Sequence, residues 1–254
     1  MYEDLKDKVV LVTGSSKGIG AAAAKGFAKC GAKVVVHGFS SPAAGQEVVD
    51  EIKADGGDAI LLLGDVTKKE VAEGLVDKTV AHFGRIDVLV NNAGDLVKRV
   101  GFDDMDEEIY DKVLDLNCRS VVFASKAAYK YFKKQGSGNI ITTGSLAARN
   151  GGGNNAGLYA AAKAFVETFT RWMAFEYSQD GIRANCVSPG FIVTRFHEEH
   201  SPKERWEQVK NAVPMKRLGY PEDCTGAFLY LASDEASGWV TGQMMQVNGG
   251  ALMV

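Results

Sequence analysis

Short apolar runs alternate with helical patterns along the whole chain. The first run, KVVLVT at 8–13, is rich in β-branched residues and is followed by a glycine-rich turn and by the helix-forming stretch AAAAKGFAKCG. Such a run is typical of a strand buried on both faces, and strands joined by helices pair in parallel. The sequence therefore predicts an α/β fold, a doubly wound parallel sheet of about seven strands with helices on both faces. The other predicted strands are 33–37, 59–63, 86–90, 139–143, 182–187 and 243–247.

Helical spacing of apolar residues marks the segments between the strands. Thr67 or Asp65 is the expected N-cap of the helix over 68–83, and Asn117 lies within a helical pattern, where an asparagine indicates a solvated position or a local kink. The segment 191–213 is polar and weakly helical, and we predict that it forms a lid over the substrate. The other predicted helices are 42–54, 106–134, 158–177 and 221–232.

Composition excludes several classes of protein. The net charge is −3 with both signs interspersed, so nucleic acid is not an expected partner. No apolar run approaches the ~20 residues that a membrane-spanning helix needs, and the first residues are acidic where a secretion signal is basic. The four cysteines are far apart without a C-x-x-C motif, which favours free thiols in a reducing cytoplasm. With five prolines and no low-complexity segment, we expect one domain over 1–254.

The glycine-rich turn Gly14-Ser-Ser-Lys-Gly18-Ile-Gly20 stands between the first strand and its helix. Glycines allow a ligand to approach the backbone, and a helix N-terminus offers free N–H groups to a phosphate. A plain tight turn would look similar, but the position between strand and helix favours a phosphate-binding loop. The second strand ends in His-Gly-Phe-Ser-Ser, without the acid that selects NAD. Because Lys17 is also able to reach a 2′-phosphate, we expect NADP(H) rather than NAD(H); NAD remains open, since main-chain groups can bind the ribose.

Tyr159 and Lys163 lie four residues apart in a predicted helix, separated by three alanines. This spacing places both side chains on one face, where small neighbours leave room for a ligand. A phenol titrates near pH ~10, and a neighbouring ammonium lowers its pKa. The pair is therefore a candidate acid/base with its tuning group, although a surface Tyr and Lys at this spacing are common.

The motifs stand together in one order: Thr13-Gly14-x-x-x-Gly18-x-Gly20, Asp65, Asn91-Asn-Ala-Gly94, Asn117, Ser145, Tyr159-x-x-x-Lys163 and Pro189-Gly190. In this order and spacing the chain resembles the short-chain dehydrogenase/reductase family over essentially its whole length. The resemblance implies a single Rossmann-like domain and an oxidoreductase that acts on CH–OH and C=O groups. It also implies a homotetramer.

The resemblance assigns roles by position. Tyr159 would exchange a proton with the substrate oxygen, Lys163 would bind the nicotinamide ribose and lower the pKa of Tyr159, and Ser145 would hydrogen-bond the substrate. Asn117 would hold a water in a proton relay with Lys163. The implied cofactor-binding residues are Gly14, Ser16, Lys17, Gly18, Ile19, Gly20, Asp65, Val66, Asn91, Ala93, Gly94, Tyr159, Lys163, Pro189, Gly190, Ile192 and Thr194.

The last 40 or so residues, from VPMKRLGYPEDC onward, are similar to the ending of 3-oxoacyl-carrier-protein reductases. Lys130 matches a basic position that binds the acidic carrier in those enzymes, but Asp180 stands where another basic residue is frequent. A general NADP-dependent carbonyl reductase is therefore favoured, with the acyl-carrier reductase and an NAD-dependent secondary alcohol dehydrogenase as alternatives. The substrate would be set by the lid and by residues such as Leu96, Ala147, Asn154 and Leu158.

Two other classes of protein fit the sequence less well. A dinucleotide-binding protein without catalysis is disfavoured because Asn117, Ser145, Tyr159 and Lys163 are all present. The stretch His197-Glu-Glu-His200 departs from the H-E-x-x-H spacing of zinc hydrolases and has no evident third ligand. We therefore expect no metal site.

Overall fold

A computed structural model describes residues 2–253 and shows one seven-stranded parallel sheet with the strand order β3-β2-β1-β4-β5-β6-β7. This confirms the predicted fold class. The order reverses between β1 and β4, which creates a crevice at the carboxyl ends of those two strands. The strands are β1 (Val9–Val12), β2 (Lys33–Gly38), β3 (Asp58–Leu63), β4 (Val88–Asn91), β5 (Gly138–Thr143), β6 (Ile182–Pro189) and β7 (Met244–Val247).

Helices cover both faces of the sheet. The elements are α1 (Gly18–Lys29), α2 (Pro42–Ala54), α3 (Lys69–Phe83), α4 (Glu107–Leu114), α5 (Ser120–Gln135), α6 (Ala147–Asn150), α7 (Gly157–Tyr177), α8 (Arg195–His200), α9 (Lys203–Ala212), α10 (Pro221–Ala232) and α11 (Asp234–Ser237). Short 3₁₀ turns lie at Glu3–Leu5 and Ser178–Asp180. None of the helices in residues 2–253 is long and apolar enough to cross a membrane.

The strand side chains alternate between two cores. In β1, Val10 and Val12 belong to the core that α1, α2 and α10 cover, while Leu11 belongs to the core that α3, α5 and α7 cover. This alternation follows from the period of two residues in a strand. Because both faces of the central strands are buried, β1 and β4 are apolar at nearly every position, and this is why the sequence revealed them.

The predicted helix over 106–134 is interrupted. A single π-helical turn, Asp115–Arg119, separates α4 from α5 and contains Asn117. Such turns are frequent at functional sites. The expectation of a local kink at this asparagine was therefore correct, and the prediction of one continuous helix was wrong.

The predicted cap of α3 was also wrong. Lys68 is the N-cap residue of α3, without a side-chain cap. The Asp65 carboxylate instead accepts a hydrogen bond from the Thr67 N–H at 3.0 Å. Asp65 therefore closes a turn before the helix, which keeps its side chain at the end of β3.

Candidate active site

A cleft with a volume of about 530 Å³ opens at the carboxyl ends of the central strands. Most of the residues predicted for catalysis or cofactor binding line it, although they come from distant parts of the chain. They are Gly14, Ser16, Lys17, Gly18, Ile19, Asp65, Val66, Ala93, Gly94, Ser145, Tyr159, Lys163, Pro189, Gly190, Ile192 and Thr194.

Three predicted residues lie behind the lining instead. The Asn91 side chain is buried and donates to the Ser125 hydroxyl on α5 at 2.9 Å, which leaves its main chain for the predicted contact with a cofactor. Gly20 is buried, and a Cβ there would stand 2.5 Å from both Asn92 Nδ2 and the Gly14 oxygen. Its site is closely packed, and its contact with a cofactor stays a prediction. Asn117 is fully buried beneath Lys163 and Gly94.

Asn92, which the sequence reasoning did not single out, holds the glycine turn in place. Its Nδ2 donates to the oxygens of Thr13 and Gly14 at 3.1 and 3.0 Å. The Thr13 hydroxyl in return accepts the N–H groups of Asn92 and Ala93 at 3.0 and 3.1 Å. These bonds join the ends of β1 and β4, so the Asn-Asn-Ala-Gly motif builds the floor of the cleft.

The N-terminus of α1 points free donors into the cleft. Its N-cap residue, Lys17, makes no side-chain cap, and no acid lies in the first turn. Gly14 has φ +63°, and a Cβ there would stand 2.8 Å from the Ala93 Cα. Only glycine fits this turn, and the uncapped N–H groups with the helix dipole form an anion site. This site fits the pyrophosphate of a dinucleotide.

His37 clamps the same turn from the second strand. Its Nδ1 accepts the Gly14 N–H at 3.0 Å, and its Nε2 lies 2.9 Å from the Gly64 oxygen, to which it donates. Burial lowers the pKa of His37, so the imidazole stays neutral in the tautomer that both bonds require. The next lining residues are Gly38, Phe39 and Ser40, and no carboxylate follows β2 at this position.

Tyr159 and Ser145 face the other half of the cleft. Burial raises the pKa of Tyr159 to about 12, the Ser145 hydroxyl opposes that rise, and the Asp95 carboxylate adds to it. Lys163 is not among the groups that shift this pKa, and its predicted effect on the pKa of Tyr159 stays a prediction. The Lys163 Nζ donates to the Thr143 oxygen at 2.9 Å and lies 5.7 Å from the centre of the Tyr159 ring. Desolvation therefore dominates, and Tyr159 is a protonated donor at neutral pH.

Lys163 is only 4% exposed, and burial lowers its pKa to about 8. Asn117 Oδ1 and the Lys163 ammonium group both lie beside Gly94, since a Cβ on Gly94 would stand 2.7 Å from Asn117 Oδ1 and 2.9 Å from Lys163 Nζ. The Asn117 amide donates to the oxygens of Asp95 and Val113, both at 2.8 Å. Its Oδ1 is buried and accepts no hydrogen bond from residues 2–253. A buried acceptor without a donor is rare, which makes this atom a place for an additional donor.

The segment that carries Ser145 is tied to α7 by a buried carboxylate. Glu167 lies one turn beyond Lys163 on the same helical face. It forms an ion pair with Arg149 at 3.0 Å and accepts from the Ser188 hydroxyl at 3.4 Å. The Ser145 hydroxyl accepts the Ala147 N–H at 3.1 Å. Ser145 is thereby held on the same rigid frame as Tyr159.

The predicted lid consists of α8 and α9. Phe196 packs on the Tyr159 ring at 5.4 Å between centroids, and Phe191 stacks on His197 at 3.6 Å. His200 Nε2 lies 3.0 Å from the Asp95 carboxylate, which anchors the lid to the loop after β4. An aromatic wall therefore covers one side of the acid/base.

The residues expected to set the substrate divide between two cavities. Leu96 and Ala147 line the main cleft, whereas Asn154 and Leu158 line a second cavity near Val100 and Phe102. No group of three or more His, Cys, Asp or Glu side chains between residues 2 and 253 is arranged to hold a metal ion.

Comparison with known proteins extends the likeness over the full chain. A family model described as Enoyl-(Acyl carrier protein) reductase matches residues 14–251. A 3-oxoacyl-[acyl-carrier-protein] reductase from Synechocystis is 40% identical, with 98% of each chain covered. The chain belongs to the short-chain dehydrogenase/reductase family. The resemblance inferred from the motifs is thereby confirmed, and the protein is an NAD(P)-dependent oxidoreductase of this family.

Solved structures of the short-chain dehydrogenase/reductase family superimpose on nearly the whole molecule. An NADH-dependent reductase responsible for alginate metabolism is 38% identical with a TM-score of 0.90, and covers 99% of this chain and 100% of its own. A candidate NAD(P)-dependent gluconate 5-dehydrogenase from Beutenbergia cavernae, with bound NADP, is 34% identical with a TM-score of 0.91 and covers 97% of each chain. The cofactor is therefore a nicotinamide dinucleotide.

Proposed function

We propose that the protein transfers a hydride between NADP(H) and a ketone or secondary alcohol, with Tyr159 as the acid/base. The observation that carries this proposal is the meeting of Tyr159, Ser145 and Lys163 on one wall of a cleft that begins at the α1 N-terminus. The test is a fluorescence titration of the purified protein with NADPH and with NADH, followed by turnover of a ketone panel. An absence of binding of both nucleotides would reject the proposal.

Each side chain has a distinct task in this proposal. The bound nicotinamide supplies or accepts the hydride. In reduction the Tyr159 hydroxyl donates its proton to the carbonyl oxygen, and the Ser145 hydroxyl stabilises the charge that develops there. Lys163 binds the ribose next to the ring. Asn117 Oδ1 accepts a hydrogen bond from a water that returns a proton towards Lys163.

Lys17 is the basis of the proposed preference for NADP. It is exposed at the rim of the cleft beside Ser16 and Ser40, where its ammonium meets a 2′-phosphate but no counterpart in NAD. Replacing Lys17 with Ala is expected to weaken NADPH binding by about tenfold, because a charge-assisted hydrogen bond contributes about 1.5–3 kcal/mol before solvent screening. Affinity for NADH is expected to stay the same in the same titration.

The control is Lys33→Ala, which removes the same charge at the start of β2, at the opposite end of the strands. It is expected to leave both affinities unchanged. Tighter binding of NADH than of NADPH by the wild-type protein would contradict the preference. That result would favour the alternative, an NAD-dependent dehydrogenase of secondary alcohols, as the NADH-dependent structural relative suggests.

The acyl-carrier reductase is the second candidate, supported by the relative from Synechocystis. Lys130 is exposed, as carrier binding requires. Asp180, however, accepts a hydrogen bond from Tyr129 at 2.7 Å and lies 3.4 Å from Lys133. This pairing neutralises a positive charge near Lys130, which weakens the attraction of an acidic carrier. Turnover of 3-oxoacyl thioesters on a carrier protein, compared with small thioesters, tests this candidate.

The proposed oligomer is a homotetramer. Phe165, Phe169 and Trp172 form a continuous aromatic face on α7, with centroids 5.5 and 5.2 Å apart, and Phe175 beyond them is 83% exposed. Trp239, just before β7, is fully exposed and is not part of the stacked aromatic residues of α7. We assign the α7 face and Trp239 to the two isologous contacts that a dihedral tetramer needs.

Trp172→Glu is expected to halve the particle mass, because a charge in the α7 contact leaves the other contact intact. Trp239→Glu is expected to do the same, and the double variant is expected to give monomers. Size-exclusion chromatography with light scattering measures the masses. A monomeric wild-type protein would contradict the assembly.

The four cysteines support a place in the reducing cytoplasm. All are free, and Cys118, Cys186 and Cys224 are buried. Burial raises the pKa of Cys118 and Cys186 to about 11 and that of Cys224 to about 12. These thiols are therefore unreactive packing groups.

A further inference from the structure

Arg99 brings an uncompensated positive charge to the substrate half of the cleft. Its Nε donates to the His200 oxygen and its Nη1 to the Asn154 oxygen, both at 2.6 Å. Within residues 2–253 no carboxylate lies within ion-pair distance of it. The two carbonyl groups hold the guanidinium in place without neutralising it. Since a guanidinium has five N–H donors, most of its donors remain available to a ligand.

Arg205 adds a second positive charge from α9. Its side chain lines the same cleft and makes no hydrogen bond or ion pair with another side chain among the described residues. Burial and then the nearby Arg205 lower the pKa of Arg99. Two guanidinium groups that line one cleft repel each other, and an anion bound between them reduces this cost.

The other ionisable groups in this region do not cancel the charge. Asp95 is engaged by His200 Nε2 at 3.0 Å and by the Leu96 N–H at 2.7 Å. Arg195 is paired with Glu199. Burial, Arg99, His200 and Arg205 lower the pKa of His197 to about 4, so that this imidazole is neutral. Of the three arginines that line the cleft, Arg99 and Arg205 are therefore the two without an acidic partner among the described residues.

The backbone also supports this interpretation. Val97 has φ +65°, a left-handed conformation that is strained for a β-branched residue. It lies between Asp95, which anchors the lid, and Arg99. Strain of this kind is typical of segments whose side chains must be placed for function.

We infer that the substrate carries an oxyanion group, a carboxylate or a phosphate, which Arg99 and Arg205 bind while its carbonyl group lies between Ser145 and Tyr159. This inference rests on the proposed function. A new C–H bond forms at the carbonyl carbon with the hydride, the oxygen takes the Tyr159 proton, and the oxyanion group is unchanged. Guanidinium groups match carboxylate and phosphate with paired hydrogen bonds.

The test compares matched pairs of anionic and neutral substrates. The carboxylate series is 2-oxobutanoate, 3-oxobutanoate, 4-oxopentanoate and 5-oxohexanoate, each with its methyl ester. The phosphate pair is dihydroxyacetone phosphate with dihydroxyacetone. For at least one pair we expect kcat/KM to be at least about tenfold higher for the anion. The pair that shows this advantage distinguishes carboxylate from phosphate.

Arg205→Gln is expected to lower kcat/KM for the anionic substrate by about tenfold, mainly by raising KM. It is expected to leave kcat/KM for the neutral partner unchanged. The control is Lys210→Gln, on the same helix but exposed and paired with Glu207. It removes an equal charge and is expected to change kcat/KM for neither substrate. Arg99→Lys retains the positive charge but loses the paired N–H donors of the guanidinium. It is expected to lower kcat/KM for the anionic substrate less than Arg99→Gln does.

Three results would overturn the inference. The first is an equal kcat/KM for both partners in every pair. The others are that Arg205→Gln lowers kcat/KM equally for both partners, or that Lys210→Gln lowers kcat/KM for the anion as much as Arg205→Gln does. If no pair is turned over, the panel acids and the phosphate are tested for a shift in the Tm of the enzyme–cofactor complex. A shift in the wild type that Arg205→Gln abolishes supports the inference, and no shift rejects it. Reduction of neutral ketones without a preference for anions rejects this inference alone, whereas failure to bind the cofactor rejects the proposed function as well.

Discussion

Tyr159→Phe is expected to lower kcat by about 10³-fold, within the 10²–10⁴-fold range of acid/base catalysis. The ring and its packing against Phe196 remain, so the change removes the proton donor without opening a cavity. Single-turnover rates with a ketone and NADPH measure the loss. Affinity for NADPH, measured by fluorescence, is expected to stay within about twofold.

The direction of the reaction supplies a second readout for Tyr159. Because burial raises the pKa of Tyr159 to about 12, the phenol is protonated at neutral pH and is able to donate. Reduction is therefore expected to vary little between pH 6 and 8, while oxidation of the alcohol, which needs the phenolate, rises with pH. Tyr159→Phe should abolish that rise. Residual turnover within tenfold of the wild type would remove Tyr159 from its proposed role.

Lys163→Met is expected to lower turnover by about 10²-fold and to change how stability depends on pH. Burial lowers the pKa of Lys163 from 10.5 to about 8. Below pH 8 both the folded and the unfolded chains hold this proton, and the full cost of burying the charge is present. Between pH 8 and 10.5 the folded chain loses the proton first, so the free energy of unfolding rises with pH.

The lower pKa corresponds to a cost of about 3 kcal/mol, which methionine does not carry. The loss of a donor to the Thr143 oxygen offsets part of that gain at every pH. The free energy of unfolding of the wild type, relative to Lys163→Met, is therefore expected to increase by up to about 3 kcal/mol from pH 7 to pH 10. Urea titrations at both pH values measure it.

Lys126→Met is the control for that experiment, since Lys126 is exposed on α5. The difference in the free energy of unfolding between Lys126→Met and the wild type is expected to be the same at pH 7 and pH 10. If Lys163→Met behaves in the same way, the ammonium is not desolvated as the structure indicates. Retention of full turnover by Lys163→Met would reject its proposed role in binding the ribose.

Local sequence signals located the strands and several helices well. The helices α2 and α10 begin at Pro42 and Pro221, as predicted, because proline at the first helical position lacks only an N–H that would be unbonded. The α3 cap was wrong because Asp65 is used to close the turn after β3. The lid helices α8 and α9 have few buried apolar residues, so their periodicity was weak.

The choice between neighbouring residues needed the tertiary structure. Asn91 and Asn92 are adjacent, and successive side chains at a strand end point in opposite directions. Asn91 turns towards Ser125, whereas Asn92 turns towards Gly14 and the cleft. The sequence does not distinguish these two residues, because both are asparagine. The presence of Arg99 and Arg205 in one cleft could not be predicted either, because the two residues line it together only after α9 packs over the sheet.

The fold class, the family and the residue types that the chemistry needs can be inferred from the amino-acid sequence. These follow from hydrophobic periodicity, turn residues and short motifs, all of which are local in the chain. The directions in which the pKa values of Tyr159 and Lys163 shift, and the charges that remain unpaired in the cleft, depend on the folded structure. A pKa depends on desolvation and on the neighbouring charges, and in this protein those neighbours come from strands, loops and a lid that are far apart in the sequence.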